Sequence, residues 1–173
     1  MSYNVSSLVV NNKKFKAVIT GNGPLVLLVH GWPETWVSWK EQINFISKLG
    51  YKVCAFNTRG YGESFSPNEI KDYSLKYFME DILDIISYFN KDKAILIGHD
   101  WGAPICWTTA AYYKEKVSAI IGLSVPYTRR GKISSTKLWK NLYKKIFFYQ
   151  NYFQKIGIPE KELEKDILSS LQK

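Results

Sequence analysis

Apolar and polar positions recur with two different periods along this chain, and the switches between them outline its elements. Leu8-Val9-Val10 and Phe15-Lys16-Ala17-Val18-Ile19 are short β-prone runs either side of Asn11-Asn12, which predicts a hairpin. Gly21-Asn22-Gly23-Pro24 then breaks the chain. Leu25 to Val29 is apolar without interruption, the pattern of a central strand buried on both faces. At Trp39 the period changes. Trp39, Ile43, Ile46 and Leu49 recur at helical spacing, with Ser38 and Glu41 set as a capping box and Gly50 as the stop. Tyr51 to Phe56 predicts the next strand, and Leu75, Phe78, Met79, Ile82, Ile86 and Phe89 mark one face of a second helix. Ala94 to Ile97 predicts a strand, Ala103 to Lys114 a helix, and Val117 to Leu123 a further strand. Strand and helix thus alternate from residue 25 onward, which implies an α/β fold with a doubly wound, mostly parallel sheet.

Ligands of such sheets bind beyond the carboxyl ends of the strands. Four segments fall at those ends: His30-Gly31-Trp32-Pro33, Arg59 to Gly62, Gly98-His99-Asp100-Trp101-Gly102, and Ser124-Val125-Pro126. The third has the form of a nucleophile elbow, a tight strand-to-helix turn that lifts one reactive side chain above the sheet. Its glycines suit a turn in which strand and helix backbones approach too closely for a Cβ. The central residue is Asp100 rather than serine. A carboxylate has no proton to lose, so it attacks a saturated carbon directly and forms an ester with it. Asp is also a favoured N-cap, and capping the following helix is the competing role for Asp100.

Composition narrows the class. The chain has 173 residues, of which 46% are hydrophobic and 16% aromatic, enough for one globular domain and contrary to disorder. Cys54 and Cys106 lie inside apolar stretches without metal-ligand spacing, and read as buried thiols of a reducing compartment. Met1 to Asn12 lacks a basic-then-apolar leader, and no apolar run reaches membrane-spanning length. A soluble, cytoplasmic protein with no membrane span is the expectation. The net charge of +9 is unevenly spread: residues 1–128 carry 13 basic and 11 acidic side chains, residues 129–173 carry 11 and 4. Arg129, Arg130, Lys132, Lys137, Lys140, Lys144 and Lys145 form a run with no acid between 129 and 154, while Leu138, Leu142 and Ile146 repeat every four residues. That run is either a solvated outer face or an amphipathic basic helix for an anionic surface, and no nucleic-acid partner is expected.

His30-Gly31-Trp32-Pro33-Glu34-Thr35, Arg59-Gly60-Tyr61-Gly62-Glu63-Ser64, Gly98-His99-Asp100-Trp101-Gly102 and Leu123-Ser124-Val125-Pro126, with their spacing, resemble the α/β-hydrolase superfamily and, within it, epoxide hydrolases similar to soluble epoxide hydrolase. The likeness covers about residues 8–128, and Phe148 to Gln154, Gly157 and Glu160 to Glu164 resemble the start of that family's helical lid. The resemblance therefore implies the first six strands of the hydrolase core over 1–128 and the beginning of a lid over 129–173. It implies no cofactor, with a small apolar epoxide and water as partners. Asp100 would attack the less hindered epoxide carbon, and Tyr149 would donate to the opening oxygen. The backbone N–H groups of Trp32 and Trp101 would form an oxyanion hole; His30, Pro33, Trp101 and Pro126 would line the pocket. Pro33 would follow a cis peptide, and Arg59 would be structural. Asn57 departs from the Asp common before the R-G-Y-G loop.

The family's second step uses a histidine near the C-terminus, oriented by a carboxylate, to activate water. This chain has only His30 and His99; His30 belongs to the oxyanion turn and His99 should point away from its neighbour Asp100. A second lid tyrosine and the last two strands also have no counterpart before Lys173. The reading is an N-terminal fragment that forms the ester without turning over, with Val117 to Leu123 left as an apolar edge. A haloalkane dehalogenase, with the Trp101 indole donating to halide, is the alternative within the superfamily; Trp32 and Tyr149 argue against it. Fluoroacetate dehalogenases usually carry Arg where this chain has Trp101. An inactive fragment or a basic-surface binding module are the readings from other classes.

Overall fold

The computed structural model describes residues 3–129 and 131–172, so Arg130 of the basic run lies outside the described residues. The hairpin forms as the pattern predicts: β1 (Val5–Val10) and β2 (Lys13–Thr20) pair antiparallel, with Val10 opposite Lys13. Asn11 and Asn12 make its two-residue turn at φ +47° and +60°, backbone that Asn tolerates better than most residues. β3 (Leu25–Val29) is buried at every position and lies between β4 (Lys52–Phe56) and β5 (Ala94–His99), parallel to both. β6 (Val117–Leu123) adds parallel to β5, giving the order β1-β2-β4-β3-β5-β6. The two antiparallel pairings, β1 with β2 and β2 with β4, precede the parallel part.

Alternation along β3 divides the core. Leu25, Leu27 and Val29 face α2 (Leu75–Tyr88) and α3 (Gly102–Tyr112), packing with Ile82, Ile85, Ile86, Ile105 and Cys106. Val26 and Leu28 face the other way, with Trp39 just before α1 (Lys40–Lys48) and Ile43 within it. Each buried Leu or Ile contributes about 1.5–3 kcal/mol on leaving water, so the five residues of β3 anchor both layers. The chain passes from β3 to β4 on one side and then across to β5 on the other. The switch point is therefore at the carboxyl end of β3, where a ligand crevice is expected.

Three local expectations are corrected. The Ser38–Glu41 capping box is not formed, because a 3₁₀ turn over Trp36–Trp39 starts the helix earlier and Thr35 caps it, its Oγ1 accepting from Val37 N–H at 3.3 Å. Leu75, placed on the buried face of the second helix, is 40% exposed at its first turn, while Ile85 is fully buried there. The third helix ends at Tyr112, and a short 3₁₀ turn over Lys114–Lys116 leads into β6. Among the described residues β6 pairs with β5 alone, and Ile121 and Leu123 on it are 49% and 42% exposed.

The chain divides into two compact units, residues 1–127 and 128–173. The second holds α4 (Ser135–Leu142), α5 (Tyr149–Tyr152), α6 (Ile158–Lys165) and α7 (Ile167–Leu171). Phe148 gathers its first part: Trp139 meets it edge-on at 5.6 Å and Tyr143 stacks on it at 4.3 Å. Glu160 accepts from Gly157 N–H at 2.7 Å at the start of α6, and Asp166 accepts from Ser169 N–H at 3.0 Å to cap α7. Among the described residues no helix is long and apolar enough to cross a membrane.

Candidate active site

The elbow is built by close approach of three backbones. β5 ends at His99, Asp100 turns at φ +49°, and α3 begins at Gly102. A non-glycine residue in that left-handed region costs on the order of 1–3 kcal/mol, so the surroundings must hold it. They do so on both sides: Asp100 N–H donates to Leu123 O at 3.3 Å, and Asp100 O accepts from Ala103 N–H at 3.1 Å. A Cβ on Gly98 would stand 2.3 Å from Gly102 O, and one on Gly102 only 2.0 Å from Val29 O. These two small residues are required by space.

The Asp100 side chain does not cap α3. Its Oδ1 instead accepts from Trp32 N–H at 2.9 Å, across from the turn that follows β3. That turn carries a cis peptide between Trp32 and Pro33, and Glu34 N–H closes it on Gly31 O at 3.1 Å. The fit is close, since a Cβ on Gly31 would meet Asp100 Cβ at 2.4 Å. Trp101, directly after Asp100, starts α3 with helical backbone.

One carboxylate ties the two turns together. Glu34 Oε2 accepts from Gly31 N–H at 3.1 Å and lies 3.0 Å from His99 Nδ1, the residue before Asp100. Burial acts to raise the Glu34 pKa, but the hydrogen bonds from His99 and Gly31 outweigh it and hold the carboxyl below its ordinary value. His99 is thus turned toward Glu34. His30 is 1% exposed and braces the strand end. Thr58 N–H can only donate, so His30 Nε2 accepts from it at 3.0 Å, and the ring proton sits on Nδ1, donating to Gly31 O at 2.8 Å. Burial lowers the His30 pKa against the Gly31 carbonyl and Glu34, keeping the ring neutral at pH 7. Expected to line a pocket, His30 is 1% exposed here with both ring nitrogens bonded to backbone, the arrangement of a strut.

Tyr61 meets His30 edge-on at 4.7 Å, and burial, with the charges of Asp100 and Glu34, pushes its phenol up to about 12. Arg59 is structural: it is 3% exposed and clasps Asp81 of α2 with Nε and Nη2 at 2.7 Å each. Asn57 Oδ1 accepts from Trp36 N–H at 2.8 Å. That task needs only an acceptor, which explains why a neutral amide serves there.

Trp32 and Trp101 are 38% and 41% exposed, and Pro33 and Pro126 are exposed. A hollow of about 210 Å³ is lined by Glu34, Ser38, Trp39, Gln42, His99 and Leu123; Asp100 is not part of its wall. In the second unit Tyr149 opens α5, half-buried, with Gln150 Nε2 donating to its hydroxyl at 2.9 Å and Phe153 edge-on at 5.6 Å. Among the described residues no three His, Cys, Asp or Glu side chains converge as metal ligands. Glu34 and Tyr61 stand at the candidate site beside the residues that the sequence singles out. The signal for Glu34 was its position three residues after Gly31, the reach of a tight turn.

Known proteins are similar to this chain in sequence and fold. The chain is 38% identical over 148 residues to bifunctional epoxide hydrolase 2 of Sus scrofa, a match covering 85% of this chain and 26% of that one. With epoxide hydrolase A of Mycobacterium tuberculosis it shares 34% over 158 residues, 90% of this chain and 49% of that one. The crystal structure of epoxide hydrolase A from Mycobacterium thermoresistibile superposes with a TM-score of 0.93 at 35% identity, covering 98% of this chain and 54% of that one. The chain thus spans between a quarter and about half the length of these relatives. The family profile of the alpha/beta hydrolase fold matches residues 24–162, most of the chain, and with the sheet order and elbow described above it establishes that the chain belongs to the alpha/beta hydrolase fold family.

Proposed function

We propose that this chain attacks epoxides through Asp100, the first half of epoxide hydrolysis to a vicinal diol. The observation that carries this reading is the placement of the Asp100 carboxylate: it stands at a left-handed strand end, bonded to Trp32 N–H at 2.9 Å instead of to the amides of α3. A carboxylate used for capping would satisfy the helix; this one is held from outside it. The epoxide hydrolases among its relatives supply the substrate class.

One Asp100 oxygen attacks the less hindered ring carbon, the carbon–oxygen bond breaks, and the ring oxygen takes a proton as it leaves. The resemblance gives that donation to Tyr149, whose phenol O–H is a donor suited to a developing alkoxide. In the second half, water adds to the ester carbonyl and negative charge collects on the other oxygen of Asp100. Trp32 N–H, with the N–H of Trp101, the residue after Asp100, is assigned to that oxyanion. A donor already 2.9 Å from Asp100 Oδ1 needs no rearrangement as charge grows there. Neither histidine is assigned as base for this step, since His30 spends both nitrogens on backbone and His99 faces Glu34.

Incubation of the 173-residue chain with styrene oxide tests the reading by intact mass and peptide mapping. The expected result is one covalent adduct on Asp100 that persists, absent in Asp100→Ala. No adduct, or adducts equally on the surface carboxylates, would overturn it. Steady diol release would overturn the arrest at the ester, and halide release from alkyl halides without epoxide opening would move the assignment to a dehalogenase.

A further inference from the structure

We propose that residues 132–147 form a docking surface for anionic lipid bilayers, lying along the membrane plane rather than crossing it. This does not rest on the catalytic reading. Seven basic and no acidic residues fall between Arg129 and Gln154. The lysines of the first unit that face carboxylates are paired, as Lys13 is with Asp81 and Asp84. Among the described residues no ion pair joins Lys137, Lys140, Lys144 or Lys145, all of them exposed. Their charge is uncompensated within this surface.

The apolar side chains supply the second, independent observation. α4 already uses one side inward, through Trp139 against Phe148, with Tyr143 following on the same side. Another side carries Leu138 and Leu142, 44% and 64% exposed, and Ile146 and Phe147 follow at 69% and 75%. A single exposed Leu needs no explanation, but four large apolar side chains exposed within ten residues and interspersed with lysines do, even with Phe147 tilted against Tyr152 at 5.6 Å. Charge decides the occupant. A second copy would bring its own lysines against these, and a nucleic acid would pair with the lysines but gain nothing from Leu142, Ile146 or Phe147. An anionic bilayer takes both: phosphate and carboxylate headgroups meet the ammonium groups while the apolar side chains enter the acyl boundary.

Flotation of the full chain with vesicles tests this, comparing pure phosphatidylcholine with a phosphatidylcholine–phosphatidylserine mixture. Support is partition onto the anionic vesicles at least about tenfold above the neutral ones, falling at least about tenfold as salt shortens the screening length from about 10 Å at 0.1 M to about 3 Å at 1 M. Leu142→Glu and, separately, Lys137→Glu with Lys140→Glu should each abolish partition. These sites are exposed, and an unchanged melting profile identifies variants that keep the fold. Equal binding to neutral vesicles, variants that bind like the parent, binding to duplex DNA or RNA instead of vesicles, or a salt-resistant dimer broken by Leu142→Glu would each overturn the proposal.

Discussion

Removing the charge of Asp81 should destabilise the first unit more than any change at its surface. Arg59 and Asp81 are each 3% exposed, and the guanidinium meets both carboxylate oxygens at 2.7 Å, while Lys13 Nζ reaches Oδ1 at 2.7 Å. In Asp81→Asn the guanidinium stays buried without its counter-charge, and the new amide turns an N–H toward donors. Breaking such a pair typically costs about 3–5 kcal/mol. The structure argues for the lower end. Arg59 keeps carbonyl acceptors at Asp72 (2.5 Å) and Tyr77 (3.0 Å), and its cation lies 5.3–5.8 Å from the rings of Tyr77, Phe78 and Phe65. Those contacts each retain on the order of 0.5–1 kcal/mol. The expected loss is therefore about 3 kcal/mol, read as a fall in urea midpoint and, for a chain of this size, a melting point lower by roughly 6–12 °C. The double variant Arg59→Met with Asp81→Leu removes both charges and should recover most of the loss, Lys13 retaining Asp84 at 2.6 Å. If Asp81→Asn costs under about 1 kcal/mol, or the double variant is worse than the single one, the clasp is not what fixes the loop after β4 to α2.

Four further outcomes follow from the same geometry. Gly102→Ala puts a Cβ 2.0 Å from Val29 O, a backbone atom that cannot yield, so soluble folded protein should be lost; Gly131→Ala, with nothing nearer than 3.6 Å, should express and melt like the parent. Glu34→Ala frees Gly31 N–H and His99 together, and losing a hydrogen bond to a charged group at about 1.5–3 kcal/mol should slow Asp100 alkylation by about tenfold or more, with Glu34→Gln between it and the parent. Because the folded pKa of Glu34 lies below its ordinary 4.5, its contribution to stability is present above pH 4.5 and fades as pH falls through the folded value; pH-dependent melting should show that loss in the parent and not in Glu34→Gln. Cys54 and Cys106 are fully buried and burial raises both thiols, so neither should react with a disulfide reagent at pH 8 until denaturant is added, when two thiols should appear.

What could be read from the sequence is what depends on near neighbours. The uninterrupted Leu25 to Val29 run announced a central strand because a strand covered on both faces has no position where a polar residue survives, and all five residues are buried. Asn11-Asn12 announced its turn because the two-residue hairpin demands left-handed backbone. The capping box failed because Thr35, three residues before Ser38, caps a 3₁₀ turn over Trp36–Trp39 that starts the helix first, and nothing local to Ser38 and Glu41 records that turn. Arg59 could be read as structural, yet its partner could not, since Asp81 lies 22 residues on and is chosen only once α2 packs on the sheet.

The candidate site shows the same division more sharply. Gly98-His99-Asp100-Trp101-Gly102 is legible because strand, turn and helix are consecutive, and each glycine reports a distance of closest approach. The Glu34 tie is not, because it depends on β3 and β5 being neighbours in the sheet, a fact of strand order that no local pattern carries. Once they are neighbours, the residues at their carboxyl ends are brought together without further instruction. Val29 pairs with Gly98, so the turns beginning at His30 and His99 start side by side. Trp32 N–H then falls on Asp100, and Glu34 on the residue before it. A carboxylate held by a neighbouring strand's turn is free of the helix it precedes. That is why the Asp100 carboxylate meets Trp32 N–H, where an ordinary N-cap would be consumed by its own helix.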